Sequence, residues 1–253
     1  KEARGKKGAL VAMIKGTGSE KVKEILYKIP EYKRHKVKEV TLDMAGSMEN
    51  IAKYSFPKAI LVTDRFHVQK LAYDAVQEMR IQYRWEAIEQ ESKEIELSRQ
   101  LGRKHIPHIL ENGDTLKQLL ARSRYLLFKP KTSWTPSQIH RGEILFNRYP
   151  FLENAYNLAM QLGQIFNSTK DKGIAFTKLA QWYDRVEKAG FKSFNTVSKS
   201  IQDHYLTILN YFNNRSTNAS AESFNAKIKA FRSSFRGVKN VSFFLFRLAN
   251  IYA

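Results

Sequence analysis

The sequence predicts an α/β fold in which a small sheet with parallel pairs is separated from its last helices by a large all-helical block. Three observations lead there. The runs Lys36–Asp43 (KVKEVTLD) and Ala59–Thr63 have strand composition, and each ends on an aspartate, Asp43 or Asp64, with a helix-forming segment between them. From Arg65 onward the apolar residues recur at helical spacing as far as Asn214. The stretch Arg215–Gly237 (RSTNASAESFNAKIKAFRSSFRG) then opens on cap-type residues and holds a single acid, Glu222, among several cations.

Taken in order, Gly8–Lys15 (GALVAMIK) reads as a short buried strand ended by Gly16 and Gly18. Ser19 caps a helix with the apolar stripe Val22, Ile25, Leu26 and Ile29, and Pro30 closes it. In the next strand Val37, Val40 and Leu42 are apolar and Thr41 is β-branched. Gly46 and Ser47 suggest a turn, Met48–Phe56 a short helix, and Pro57 precedes the second aspartate strand. Ligands in open α/β sheets gather beyond the carboxyl ends of strands, which places Asp43 and Asp64 at one edge. Each acid also has a simpler reading as the cap of the helix after it, Asp64 opening the long stretch Arg65–Arg99.

In that stretch Val68, Leu71, Ala72, Ala75, Val76, Met79, Tyr83 and Ile88 follow helical spacing. Gly102–Asp114, with Pro107 and Gly113, reads as a loop. Helical patterns resume at Thr115–Phe128, Thr135–Arg148, Phe151–Phe166, Ile174–Ala189 and Val197–Phe212, divided by Pro130, Pro136, Pro150, Gly173 and Gly190. The expected organisation is therefore core residues 1–64, a helical block 65–214, and closing helices 215–253. The apolar end Val238–Ala253 reads as a buried helix or a docking surface.

The 253 residues, 43% of them hydrophobic, suffice for a sizeable core. A formal charge of +19 costs stability by self-repulsion and points to a polyanionic partner, nucleic acid first. With no cysteine, disulfides and cysteine-bound metals are excluded. There is no apolar run of about eighteen residues to cross a membrane and no signal peptide behind the basic start. A chain that begins with Lys1 is expected to be a piece of a longer product.

Glu222 falls in the first or second turn of its helix, where the macrodipole alone favours an acid. Lys229, Arg232 and Arg236 can share a face and contact phosphate, while Lys227 lies on another. His105 and His108 are read as a solvated loop rather than a metal pair, and Trp85, Trp134 and Trp182 as core rather than base-stacking residues. His67, one turn after Asp64, reads either as its hydrogen-bond partner or as a surface histidine at the helix start. Carboxylates brought close together repel, and a shared hard cation, magnesium or manganese, is the physical means of holding them. Two such ions can activate a water or a 3'-hydroxyl at a phosphodiester.

The segments TLDMAGS (Thr41–Ser47), VTDRFHVQKL (Val62–Leu71) and STNASAESFNAKIKAFR (Ser216–Arg232), in that order, resemble the DDE transposases of bacterial insertion sequences, in particular the ISL-three group. The resemblance covers essentially the whole chain. It implies an RNase H-like mixed sheet interrupted by a helical insertion, with an Asp-Asp-Glu triad of which Asp43 is the second acid and Glu222 the third. By the same match Asp64, Arg65 and His67 support the site, while Lys227, Lys229, Arg232 and Arg236 are expected to contact DNA from their charge on one helix. Two magnesium or manganese ions, double-stranded DNA as element end and target, a homo-oligomer and a bacterial, cytoplasmic, nucleoid-associated location are implied as well. The family's first aspartate is expected upstream of this chain, which leaves the fragment itself open to being inactive. The rival reading is a non-catalytic DNA-binding or regulatory protein derived from such a transposase, with the acids acting only as helix caps.

Overall fold

A computed structural model describes residues 10–12, 14, 16–234 and 238–252. In chain order the elements are α1 (Ser19–Tyr27), α2 (Glu31–Arg34), β1 (Glu39–Leu42), α3 (Gly46–Ser55), β2 (Ile60–Thr63) and α4 (Arg65–Gln100). There follow α5 (Leu116–Arg122), α6 (Pro136–Arg148), α7 (Pro150–Ser168), α8 (Lys172–Ala189) and α9 (Lys192–Asp203). The last are α10 (Tyr205–Leu209), α11 (Tyr211–Asn214), α12 (Ala219–Ser234) and α13 (Val241–Tyr252). They fall into two compact units, one of the described residues up to His67 with those from His204 on, the other Val68–Asp203.

In the first unit β1 and β2 pair in parallel, Glu39 opposite Ile60 and Leu42 opposite Thr63. The parallel sense follows from α3, which supplies the crossover that a tight turn cannot. Leu42, Ala52 and Leu61 are buried together with Val40 and Met48 against them, each large side chain contributing on the order of 2 kcal/mol by leaving water. Residues 204–214, expected within the helical block, pack in this unit and tie to both strands. Thr207 and Thr63 hydroxyls lie 2.7 Å apart, Asn210 Nδ2 donates to the Leu61 carbonyl (2.9 Å) and Asn214 Nδ2 to Glu39 Oε2 (2.9 Å). Thr207, Asn210 and Asn214 recur at spacings of three and four, so one face of this segment carries all three ties.

Two local expectations change. Gly8–Lys15 lies partly outside the described residues, and Leu10–Ala12 and Ile14 carry no strand pairing, with Val11 75% exposed. An apolar run becomes a strand only where a neighbour takes its hydrogen bonds, and among the described residues the sheet has only β1 and β2. Gly46 and Ser47 form the first turn of α3 rather than a separate turn.

The second unit is helical throughout its described elements. Leu119, Leu120, Leu126, Leu127, Leu145, Leu152 and Leu162 are buried with Tyr156, Trp182, Phe194 and Ile201. Thr135 caps α6 with Pro136 at its first position, and Gly190 ends α8 in the left-handed conformation. Gly142 is required by close approach, because a Cβ there would stand 2.4 Å from the Trp134 ring. Trp134 and Trp182 each donate an indole N–H to a carbonyl, of Leu126 (3.0 Å) and Leu158 (2.9 Å). Trp85 differs from its expectation as a core residue, being 64% exposed on the outer face of α4.

Candidate active site at the strand ends

Parallel register decides where the first two acids fall. With Leu42 opposite Thr63, the next residues are Asp43 and Asp64, and the Asp64 N–H still donates to the Leu42 carbonyl (2.9 Å). Both acids therefore leave the sheet at the same edge on neighbouring strands. They do so in different states. Asp43 is half-buried, and its Oδ1 accepts from the Ala45 N–H two residues on (3.0 Å). That bond bends the chain into α3, whose N-cap, Ala45, has no side-chain acceptor of its own.

Asp64 is fully buried, at 0% exposure. Its Oδ1 accepts from the Phe66 N–H (3.1 Å), the cap arrangement for α4, and its Oδ2 accepts from the Asn218 N–H (3.0 Å) just ahead of α12. One carboxylate thus meets the amino-terminal ends of two helices, where orphan N–H groups and both macrodipoles favour negative charge. The helix that carries Glu222 is in this way fixed to the end of β2 by a residue from β2's own terminus.

Glu222 sits one turn beyond that anchor, its N–H donating to the Asn218 carbonyl (2.9 Å). Its side chain is exposed and makes no ion pair among the described residues. Lys227, Lys229 and Arg232 are likewise exposed and free of ion pairs among the described residues, whereas Arg236 lies outside them. Lys229 follows Glu222 by seven residues and shares its helix face. Phe224, Ile228 and Phe231 form the half-buried opposite side, and Phe231 stacks on Phe244 at 5.6 Å.

Arg65 reaches over two rings, Phe66 (4.8 Å) and the buried Tyr211 (5.9 Å), and Arg215 lies over Tyr211 as well (5.4 Å). Arg215 holds φ of 51°, the left-handed region, and turns the chain from α11 toward Asn218. Of the two readings of His67, the hydrogen bond to Asp64 is corrected: Nδ1 stands 3.9 Å from Oδ2, beyond hydrogen-bond reach. Asp64's Oδ2 accepts from the Asn218 amide instead. Sequence reading also missed the pair of Glu49 and His204 (3.4 Å), which joins α3 to the segment leading into α10. The Glu49 carboxyl is lowered from its ordinary value chiefly by the hydrogen bond from Lys53, with the His204 charge adding to it.

Away from this edge, in the second unit, His105 and His108 line a cavity of about 310 Å³ with Glu91 and Glu94. Acids thus stand nearer these histidines than their sequence neighbourhood suggested. No group of three or more ligand side chains suited to a metal forms among the described residues.

Two aspartates at the carboxyl edge of a parallel pair, one of them clamping a helix with an acid in its first turn and cations beyond, define an α/β protein with a carboxylate-bearing edge. The sequence profile of the ISL-three-type DDE family, described as transposase, matches residues 2–248, and the chain belongs to that family. No curated protein and no solved structure matches it. Transposases are enzymes that act on DNA, which accords with the formal charge of +19. No described helix is long and apolar enough to cross a membrane.

Proposed function

We propose that this chain carries catalytic carboxylates for divalent-metal-dependent cleavage and transfer of DNA strands at the ends of an insertion sequence, with Asp43 and Glu222 as metal-binding acids. The first unit is, on this reading, part of an RNase H-like core, and Val68–Asp203 an insertion within it. The observation that carries the proposal is the link Asp43–Asp64–Asn218–Glu222. Neighbouring strand ends set Asp43 beside Asp64, and Asp64 holds the start of the helix that carries Glu222.

The donor chemistry fits magnesium or manganese. Asp43 Oδ2 and both oxygens of Glu222 have no partner among the described residues. Magnesium is commonly held by one or two carboxylates with water and substrate phosphates completing the shell. When bound, such ions activate an oxygen nucleophile and stabilise the leaving oxygen of a phosphodiester. The residues of this chain supply the rest. Asp64 fixes the helix of Glu222, Arg65 is held over aromatic faces at the same edge, and Lys227, Lys229 and Arg232 offer charge to phosphates. Two ends handled together call for at least two copies of the chain.

The test uses the full-length protein and duplex carrying the element's ends, with magnesium present. Asp43→Asn and Glu222→Gln are each expected to abolish nicking, a loss on the order of 100-fold or more, while DNA binding persists. Nicking retained in either variant would sink the assignment. Absence of any magnesium affinity that depends on Asp43 and Glu222, with DNA binding intact, would instead support the non-catalytic reading.

A further inference from the structure

The second unit holds a groove of about 230 Å³ between α7 and α8, lined by Gln161, Gln164 and Ser168 on one side and Lys178, Gln181 and Arg185 on the other. No acid lines it. In a chain where 26% of residues are charged, the outward face of α7 is neutral amide: Asn154, Asn157, Gln161 and Gln164 recur at spacings of three and four. Such a face can exchange its water hydrogen bonds for those of an acceptor-rich partner without desolvating a net charge.

The two cations of the groove differ from the ion-paired cations of this unit. Lys93, Lys117, Lys131 and Arg141 pair with Glu89, Glu91, Glu153 and Asp114. Arg185 instead donates to Gln161 Oε1 (3.0 Å), and Lys178 Nζ to the Thr169 hydroxyl (3.2 Å). A neutral acceptor orients the cation but leaves its charge uncompensated. Cations so oriented, flanked by amide donors and a hydroxyl, match the groups that contact phosphate oxygens in protein–DNA interfaces.

We propose that the α7–α8 groove binds the sugar-phosphate backbone of duplex DNA, Lys178 and Arg185 each contacting a phosphate and Gln161, Gln164, Gln181 and Ser168 supplying neutral hydrogen bonds. The inference rests on the family's action on DNA, yet it concerns neither the carboxylates nor α12. It makes the helical unit a DNA-contacting element in its own right, and it predicts binding indifferent to base sequence.

The experiment titrates the full chain against a fluorescent mixed-sequence DNA duplex over a range of salt. Lys178→Gln with Arg185→Gln is expected to weaken binding about tenfold or more. Its slope of log affinity against log salt should become shallower by about 2, since each phosphate contact contributes about 0.9. Gln164→Ala with Gln181→Ala should weaken binding while leaving the slope unchanged. Lys93→Gln, which removes a cation already paired with Glu89, should alter neither. An unchanged slope in the double cation variant, with its thermal unfolding intact, overturns the groove. So does an equal change in Lys93→Gln, which would reduce the effect to net charge. A changed oligomeric state at undiminished DNA affinity overturns it in favour of a protein interface. Failure of the parent chain to bind the duplex would overturn the groove and the DNA-cleavage reading together. Loss of nicking in Asp43→Asn, with the groove slope intact in the cation variant, would overturn the groove alone.

Discussion

Asp64 in the first unit and Asp114 in the second are both aspartates at 0% exposure that directly precede a helix region, and they are kept in opposite ways. Asp114 is surrounded by its own chain's cations. Arg122 pairs with one of its oxygens, Arg141 with the other (3.3 Å), and Asn112 donates to it (2.9 Å). Asp64 is held by the backbone amides of Phe66 and Asn218, which orient it without adding a full charge. The difference separates two uses of a buried carboxylate. One neutralises and staples a core. The other pins two helix starts, one of them the start of the helix on which Glu222 stands exposed, at the strand end beside Asp43.

The largest expected effect breaks the stapled site. Asp114→Ala removes the partner of two guanidinium groups, and Arg141 is mostly buried, so unfolding by denaturant should show a loss of about 3 kcal/mol. A loss under about 1 kcal/mol would mean that both arginines find other partners, and the contrast with Asp64 would go. Next comes Asp64→Asn, which keeps the shape but leaves one carbonyl oxygen for two amides. We expect a loss of about 1–2 kcal/mol and faster hydrogen exchange at Asn218 and along the first turn of α12. Unchanged exchange there would show that α12 is held by something else.

The alkaline range sharpens the comparison further, because tryptophan fluorescence reports only the second unit, which contains Trp85, Trp134 and Trp182. Burial pushes the hydroxyls of Tyr156 and Tyr183, both in that unit, up to about 12 from an ordinary 10.0. A folded value above the unfolded one gives stability that is complete below pH 10 and lost as pH rises toward 12. The fluorescence transition in denaturant should therefore weaken across that window. In the first unit Glu49 is shifted the other way, so its contribution holds above 4.5 and is lost as pH falls through its lowered value. Smallest is Tyr183→Phe. The Tyr183 hydroxyl is buried without a hydrogen-bond partner among the described residues, so removing it should stabilise by up to about 1 kcal/mol and shrink the alkaline loss. Destabilisation on that change would mean the hydroxyl has a partner after all.

Several of these contrasts were legible in the sequence. Two strand-like runs ending on aspartate, with a helix between, fix a parallel pair, and a parallel pair puts Asp43 and Asp64 on one edge whatever the details. Ser216–Asn218 announced the start of α12, and the structure begins that helix at Ala219. What could not be read was partnership. Trp85 and Trp182 both obey helical periodicity, yet one faces outward and the other packs in the core, because the second unit covers one face of its helix and not the other. Residues 204–214 look like more of the helical block until Thr207, Asn210 and Asn214 are seen bonded to the strands.

By itself the sequence determined the family, the helical bulk, the charge that seeks a polyanion and the local places of the acids, since each depends on residue type and short-range spacing. Tertiary structure alone decided that Asp64 is buried, that its second oxygen finds an amide 154 residues away, and that Asp114 is met by Arg141 from another helix. Those choices turn on which distant groups fill a desolvated carboxylate's remaining lone pairs, and no local spacing encodes that.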